Sequence, residues 1–167
     1  MRINKKIIFY FIIIFIIIVI VFLLSWFRSN SDNSFSGEEN IPTVLGKKYQ
    51  KIQLNISSNK FSAYVADTDE KRIAGLSNWN NLKPYEAMFF VFTEPNYHGI
   101  WMKDMKISLD IIWLDENSKI IYIKENILPN TFPKIFKPDS PALYVIELPA
   151  GTISQNKISL GMVVSKI

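Results

Sequence analysis

Residues 101–115 read WMKDMKISLDIIWLD, and this stretch decides the fold class. It opens polar and mixed, then becomes almost unbroken apolar sequence with one carboxylate inside it. Across 107–114 the β-branched and aromatic residues favour a strand over a helix. At the two-residue period Ile107, Leu109, Ile111 and Trp113 fall on one face, and Ile112 and Leu114 on the other. A strand apolar on both faces is covered on both faces, so the pattern predicts the central strand of a β-rich domain. Asp110 shares the face of Ile112 and Leu114. A carboxylate there must find donors or hold a proton, because desolvating it unpaired is expensive. Backbone N–H groups, Lys103 or Arg72 are the expected donors.

Outward from this strand, short segments alternate with turns. Residues 49–56 alternate as a strand, 57–60 turn, and 61–66 return. Asp67 as N-cap, with Glu70 three residues on, predicts a two-turn helix closed by Gly75. Residues 87–92 form a second strand apolar on both faces, broken by Thr93-Glu94-Pro95-Asn96. After a turn at 115–118, residues 119–125 return as a hairpin strand. Residues 127–141 carry Pro129, Pro133, Pro138 and Pro141 and predict a long irregular loop, a feature often tied to function. Residues 142–148 are a strand, Thr152 with Gln155 resembles a capping box for one helical turn, and 161–167 are a final strand. Seven or eight short strands with one or two short helices predict a compact, mainly β domain of sandwich or small-barrel type.

The N-terminal part has a different character. Residues 7–24 read IIFYFIIIFIIIVIVFLL, without a charge, and Trp26 and Phe27 extend the run. At 1.5 Å rise per residue, about twenty apolar residues cross a bilayer core of roughly 30 Å. Arg2, Lys5 and Lys6 precede the run, while Arg28 and then Asp32, Glu38 and Glu39 follow it. The excess of positive charge before the run places the N-terminus in the cytoplasm and the rest outside it. A cleaved signal peptide, which would leave a secreted domain, is the rival reading, but its apolar core is usually shorter. The expected organisation is an anchor over 1–27, a flexible tether rich in Ser, Asn and acid over 28–45, and an extracytoplasmic β domain over 46–167.

The formal net charge is +4. Arg2, Lys5 and Lys6 account for three of the 19 basic residues, so the remainder carries 16 basic against 15 acidic residues, a net +1. That balance argues against a nucleic-acid partner. There is no cysteine, which excludes thiol catalysis, zinc-thiolate sites and disulfides. The single His98 excludes any site that needs two histidines. No phosphate-cradling glycine loop and no nucleophile elbow is present. Nothing in the sequence calls for a metal or a cofactor, and no residue is marked as catalytic.

The candidate binding residues are Trp101, Met102, Lys103, Asp110 and Glu147. Trp101 and Met102 could line an apolar or sugar-binding cleft, and Lys103 could hold an anion. Glu147 repeats the context of Asp110, a carboxylate within an apolar strand. If the two converged, they could bind a hard cation or perform acid–base chemistry. The functional readings are a small-ligand or partner-binding module of the cell envelope, a carboxylate-based hydrolase of envelope carbohydrate, or a scaffold without ligand.

Several separated blocks resemble the bacterial and archaeal "domain of unknown function 192" family. They are Val65-Ala66-Asp67-Thr68 with Gly75-Leu76, Met88-Phe89-Phe90-Val91-Phe92, Trp101-Met102-Lys103-Asp104-Met105, the run Leu109-Asp110-Ile111-Ile112-Trp113-Leu114-Asp115, Glu125-Asn126, and Glu147-Leu148-Pro149-Ala150-Gly151. The resemblance spans about residues 61–164. It implies a compact β domain of sandwich or jelly-roll type, often behind a signal or membrane segment, and no established activity. Two positions depart from the family pattern: Ala87 stands where Gly is usual, and Met162 follows Gly161 where the family tends to have Asp.

Overall fold

The computed structural model describes residues 19–21, 43–44 and 46–166. The chain divides into two compact units, residues 1–40 and 41–167. In the first, residues 19–21 are helical and exposed. Among the described residues no helix is long and apolar enough to cross a membrane. The anchor expected over 1–27 and the tether over 28–45 lie outside the described residues, apart from 19–21 and 43–44.

The second unit is mainly β. In chain order it holds β1 Thr43–Val44, β2 Lys47–Lys48, β3 Gln50–Ile56, β4 Asn59–Ala66 and helix α1 Asp69–Ala74. There follow β5 Glu86–Asn96, β6 Ile100–Trp101, β7 Leu109–Leu114, β8 Ile120–Ile127 and β9 Ile135–Phe136. β10 Ala142–Pro149, helix α2 Thr152–Gln155 and β11 Val164–Lys166 complete it. Seven strands make one sheet in the order β11-β3-β4-β5-β10-β7-β8. All neighbours are antiparallel except β4 and β5. A parallel pair needs a long crossover, and the segment carrying α1 supplies it.

The sheet curls until its two ends meet. Lys119 and Val163 form a β-bridge, and the Ile120 N–H donates to the Met162 carbonyl at 2.8 Å. Such closure removes part of the exposed edge that would otherwise invite pairing with another chain.

The six residues of β7 are all buried, as the apolar run predicts. Its place differs from the expectation. β7 is second from the β8 edge, and β5 is the middle strand of the seven. β7 is nonetheless covered on both sides because each face of the sheet carries its own core. Leu109, Ile111 and Trp113 join Met88, Phe90 and Val145 on one face. Ile112 and Leu114 join Phe89, Ile146 and Leu148 on the other, together with Leu54, Val164 and Ile120 from the ends of the sheet. Gathering residues from both ends marks this second face as the concave one. The first face is covered by the segments that follow α1 and by β6 and its continuation, which contribute Leu76, Leu82, Ile100 and Met102. Trp113 tolerates full burial because its indole N–H donates to the His98 carbonyl at 2.9 Å.

Local signals were displaced by a residue or two. The N-cap of α1 is Thr68, whose side chain accepts from the Lys71 N–H, while Asp67 pairs with the Lys71 ammonium at 2.7 Å. β5 is not broken at Thr93 but runs through Pro95 to Asn96, its last four residues exposed, and Asn96 pairs with Ala142 beyond a bulge. The Pro-rich loop is partly ordered by β9, which pairs with β6. That pairing requires Gly99: a Cβ there would lie 2.6 Å from Ile135 Cγ2.

Candidate functional site

Two carboxylates are buried within the sheet, and their surroundings are opposite in kind. Asp110 is fully buried on the concave face. Its Oδ1 accepts from the Asn126 N–H at 2.8 Å, and its Oδ2 accepts from the Ile153 N–H at 2.9 Å. Asn126 has a positive φ of 51° near the β7–β8 register shift. Ile153 lies in the first turn of α2, whose N-cap, Gly151, offers no side-chain acceptor. Asp110 therefore ties the irregular end of β8 to the N-terminus of α2. It does the work expected of a Thr152/Gln155 capping box, whereas Thr152 Oγ1 instead donates to the Pro149 carbonyl at 2.6 Å. The expected backbone donors are present, and the two side-chain candidates are not among them. Arg72 donates to the Val91 carbonyl at 2.7 Å and to Asp69 at 2.6 Å, and Lys103 is exposed elsewhere.

Glu147 is one residue out of phase with Asp110. In the β10–β7 register Asp110 pairs with Leu148, and Glu147 with Ile111. Glu147 thus shares the first face with Ile111 and Met88, its two cross-strand partners. The two carboxyl groups point to opposite sides of the sheet. A hydrolase that uses them as a pair on one glycosidic bond is ruled out, since both must flank the same bond.

Glu147 forms the floor of a cavity of about 260 Å³. The walls are Phe90 and Phe92 of β5, Ile100 and Trp101 of β6, and Met105; Arg72, Ile73 and Gly75 of the α1 end form the rim. Gly75 closes α1 at φ 45°, a left-handed value suited to glycine, and its N–H caps the Lys71 carbonyl. Glu147 is 4 % exposed, and its Oε2 has no hydrogen-bond partner. Burial pushes its carboxyl up from an ordinary 4.5 to about 8, so at neutral pH it holds a proton. The phenol of Tyr49 is pushed up to about 12, by burial first and by the Glu147 charge second. Tyr49 lines an adjoining cavity of about 400 Å³ with Trp79, Lys103 and Asp104. Ile73, Gly75, Ser77 and Trp101 line both cavities.

The expected binding residues thus separate. Trp101, 46 % exposed, and Glu147 meet at one cavity. Lys103 stands at the neighbouring one, where its carbonyl accepts from Ser77 Oγ at 3.0 Å. Met102 is buried in the core of the first face, and Asp110 lies on the other side of the sheet. His98 is a packing residue: its ring stacks on Phe92 at 3.5 Å, nearly parallel, and its Nε2 lies 3.0 Å from the Glu94 carbonyl. Phe90, Phe92 and Arg72 escaped sequence reasoning as site residues. Phe90 and Phe92 share the alternation of a core strand, and only the crossover that seats α1 above them turns that face into a cavity wall.

Comparison with known proteins agrees with this architecture. The sequence profile of the DUF192 family, described as an uncharacterized family, matches residues 52–166. A crystal structure from Sinorhizobium meliloti, provisionally described as a transcription regulator, is 28 % identical with a TM-score of 0.66, covering 71 % of this chain and 95 % of that one. A protein of unknown function from Novosphingobium aromaticivorans is 24 % identical with a TM-score of 0.65, covering 75 % and 90 %. No curated protein matches. With the profile spanning most of the β unit and two solved structures sharing its fold, the chain belongs to the uncharacterized DUF192 family.

Proposed function

We propose that this chain is a membrane-anchored, extracytoplasmic domain that binds a small ligand in the cavity beneath Trp101. One observation carries the reading: the Glu147 Oε2, buried at a cavity lined by Phe90, Phe92 and Trp101, has no hydrogen-bond partner. An unsatisfied buried polar group costs about 1–3 kcal/mol, so a scaffold without ligand gains nothing by retaining it. A cavity of about 260 Å³ lies just under the usual range for ligand sites, roughly 300–1,000 Å³, and suits a molecule of fragment or single-ring size. Trp101 offers an exposed aromatic face at its mouth. The reading keeps a jelly-roll-like β domain held outside the cell by residues 7–27, supported by the length of the apolar run and the charges around it. The regulator description of the Sinorhizobium relative does not transfer readily, because the chain beyond the basic N-terminus has a net charge of only +1.

The test is a ligand-observed NMR screen of small alcohols, amides, amines and monosaccharides against the full chain in detergent micelles. Compounds that bind should lose binding in Trp101→Ala. A screen without a binder at millimolar concentration, or with binders indifferent to Trp101, would overturn the reading.

A further inference from the structure

We infer that the ligand is a small organic ammonium ion, held between the Glu147 carboxylate and the aromatic walls of the cavity. The inference rests on the small-ligand reading and narrows it to a charge class. Three rings, Phe90, Phe92 and Trp101, line the same cavity as the nearly buried Glu147, whose Oε2 has no hydrogen-bond partner. Aromatic faces carry negative quadrupole potential and attract cations, most strongly where water is excluded. A carboxyl group at the floor supplies the matching full charge. A hydrocarbon ligand would leave Oε2 without a donor, and an anionic one would meet the carboxylate. An ammonium group satisfies both floor and walls.

The charged and titratable groups around the cavity permit this. Arg72, the cation at the rim, is engaged by Asp69 at 2.6 Å and by the Val91 carbonyl, and its guanidinium stands 5.4 Å from the Phe92 ring. It makes no hydrogen bond to Glu147, and Asp69 offsets its charge. Tyr49, the titratable group whose phenol feels the Glu147 charge, is neutral at physiological pH and donates to the Gly75 carbonyl at 3.4 Å. The flanking strands present Met88 and Ile111 to Glu147, both apolar. The rim and flanking side chains thus leave the carboxyl group free to answer a ligand cation.

A proton balance follows. With its proton held up to about pH 8, Glu147 is mostly neutral at pH 7. Binding a charged ammonium ionises it, and the carboxyl proton leaves to solvent, about 0.9 per ligand bound. A neutral ligand releases none.

Isothermal titration calorimetry of the full chain in detergent at pH 7, in phosphate and in the sulfonate-bearing buffer MOPS, reads both affinity and proton release. The probes are benzylamine, charged at this pH, and benzyl alcohol, its neutral isostere. We expect benzylamine to bind roughly tenfold or more tightly than benzyl alcohol and to release close to one proton. Glu147→Gln should abolish the release and sharply reduce the preference. Trp101→Leu, at a half-exposed position, should weaken benzylamine more than benzyl alcohol. Benzyl alcohol binding as tightly as benzylamine, or benzylamine binding without proton release, would overturn the ammonium assignment while leaving a small-ligand site in place. Failure of both probes at ten millimolar would overturn this assignment; the wider screen then decides whether the small-ligand reading survives.

Discussion

Replacing Glu147 by Gln should remove a large pH dependence from the stability of this domain. Glu147 is buried, and burial raises its carboxyl from 4.5 to about 8 in the folded chain. Between those values the unfolded chain loses the proton and the folded chain keeps it. The unfolded state then binds fewer protons, so stability falls as pH rises across the window. Each unit is worth 1.36 kcal/mol, which gives about 5 kcal/mol over the full window and about 3 kcal/mol between pH 5 and pH 7. For a domain of this size that corresponds to a midpoint shift on the order of 10 °C. Gln keeps the shape and does not titrate, so the difference between the two proteins isolates Glu147 from every other titration. Thermal unfolding followed by tryptophan fluorescence at pH 5, 6, 7 and 8 provides the comparison. The wild-type midpoint should decline relative to that of Glu147→Gln at each step. A difference that stays constant from pH 5 to pH 8 would refute the reasoning, since it would mean that Glu147 ionises in the folded chain as it does in water.

Other expectations follow from particular contacts. Asp110→Ala leaves the Asn126 and Ile153 N–H groups without acceptors and should destabilise by roughly 2–4 kcal/mol, seen as a lower denaturant midpoint with ligand chemistry at Glu147 unaffected; an unchanged midpoint would remove Asp110 from its structural role. Gly99→Ala places a Cβ against Ile135 and should cost about 1–3 kcal/mol while loosening the β6–β9 pair, detectable as faster amide exchange at Ile100 and Trp101; wild-type exchange rates would contradict the close approach. Protease added to intact spheroplasts should degrade the β domain, given the apolar run and its flanking charges; a protected domain would refute the outward topology.

Much of the fold was legible because strand patterning is local. The alternation within 107–114 assigned Leu109, Ile111 and Trp113 to one core and Ile112 and Leu114 to another, and the two clusters are so divided. The burial of Asp110 and its backbone donors followed from the same alternation. What sequence could not give was register between strands. A shift of one residue in the β10–β7 pairing would have put Glu147 beside Asp110 on one face; the actual register sets Leu148 there instead. The position of β7 near an edge was hidden for a related reason, since curling of the sheet covers a strand that a flat sheet would expose. The cavity was illegible as well. Its walls come from β5, β6 and the end of α1, segments far apart in the chain that only the parallel β4–β5 crossover brings together.

The most direct test of the account is the ionisation of Glu147 itself, with and without ligand. Carboxyl-labelled glutamate followed by carbon-13 NMR, with the Glu147 signal identified by its loss in Glu147→Gln, reads it without inference from stability. The Glu147 carboxyl should titrate near 8 in the free protein and be ionised at pH 7 when benzylamine saturates the cavity. A Glu147 signal that titrates near 4.5, or that does not respond to any small molecule that binds, would contradict the account.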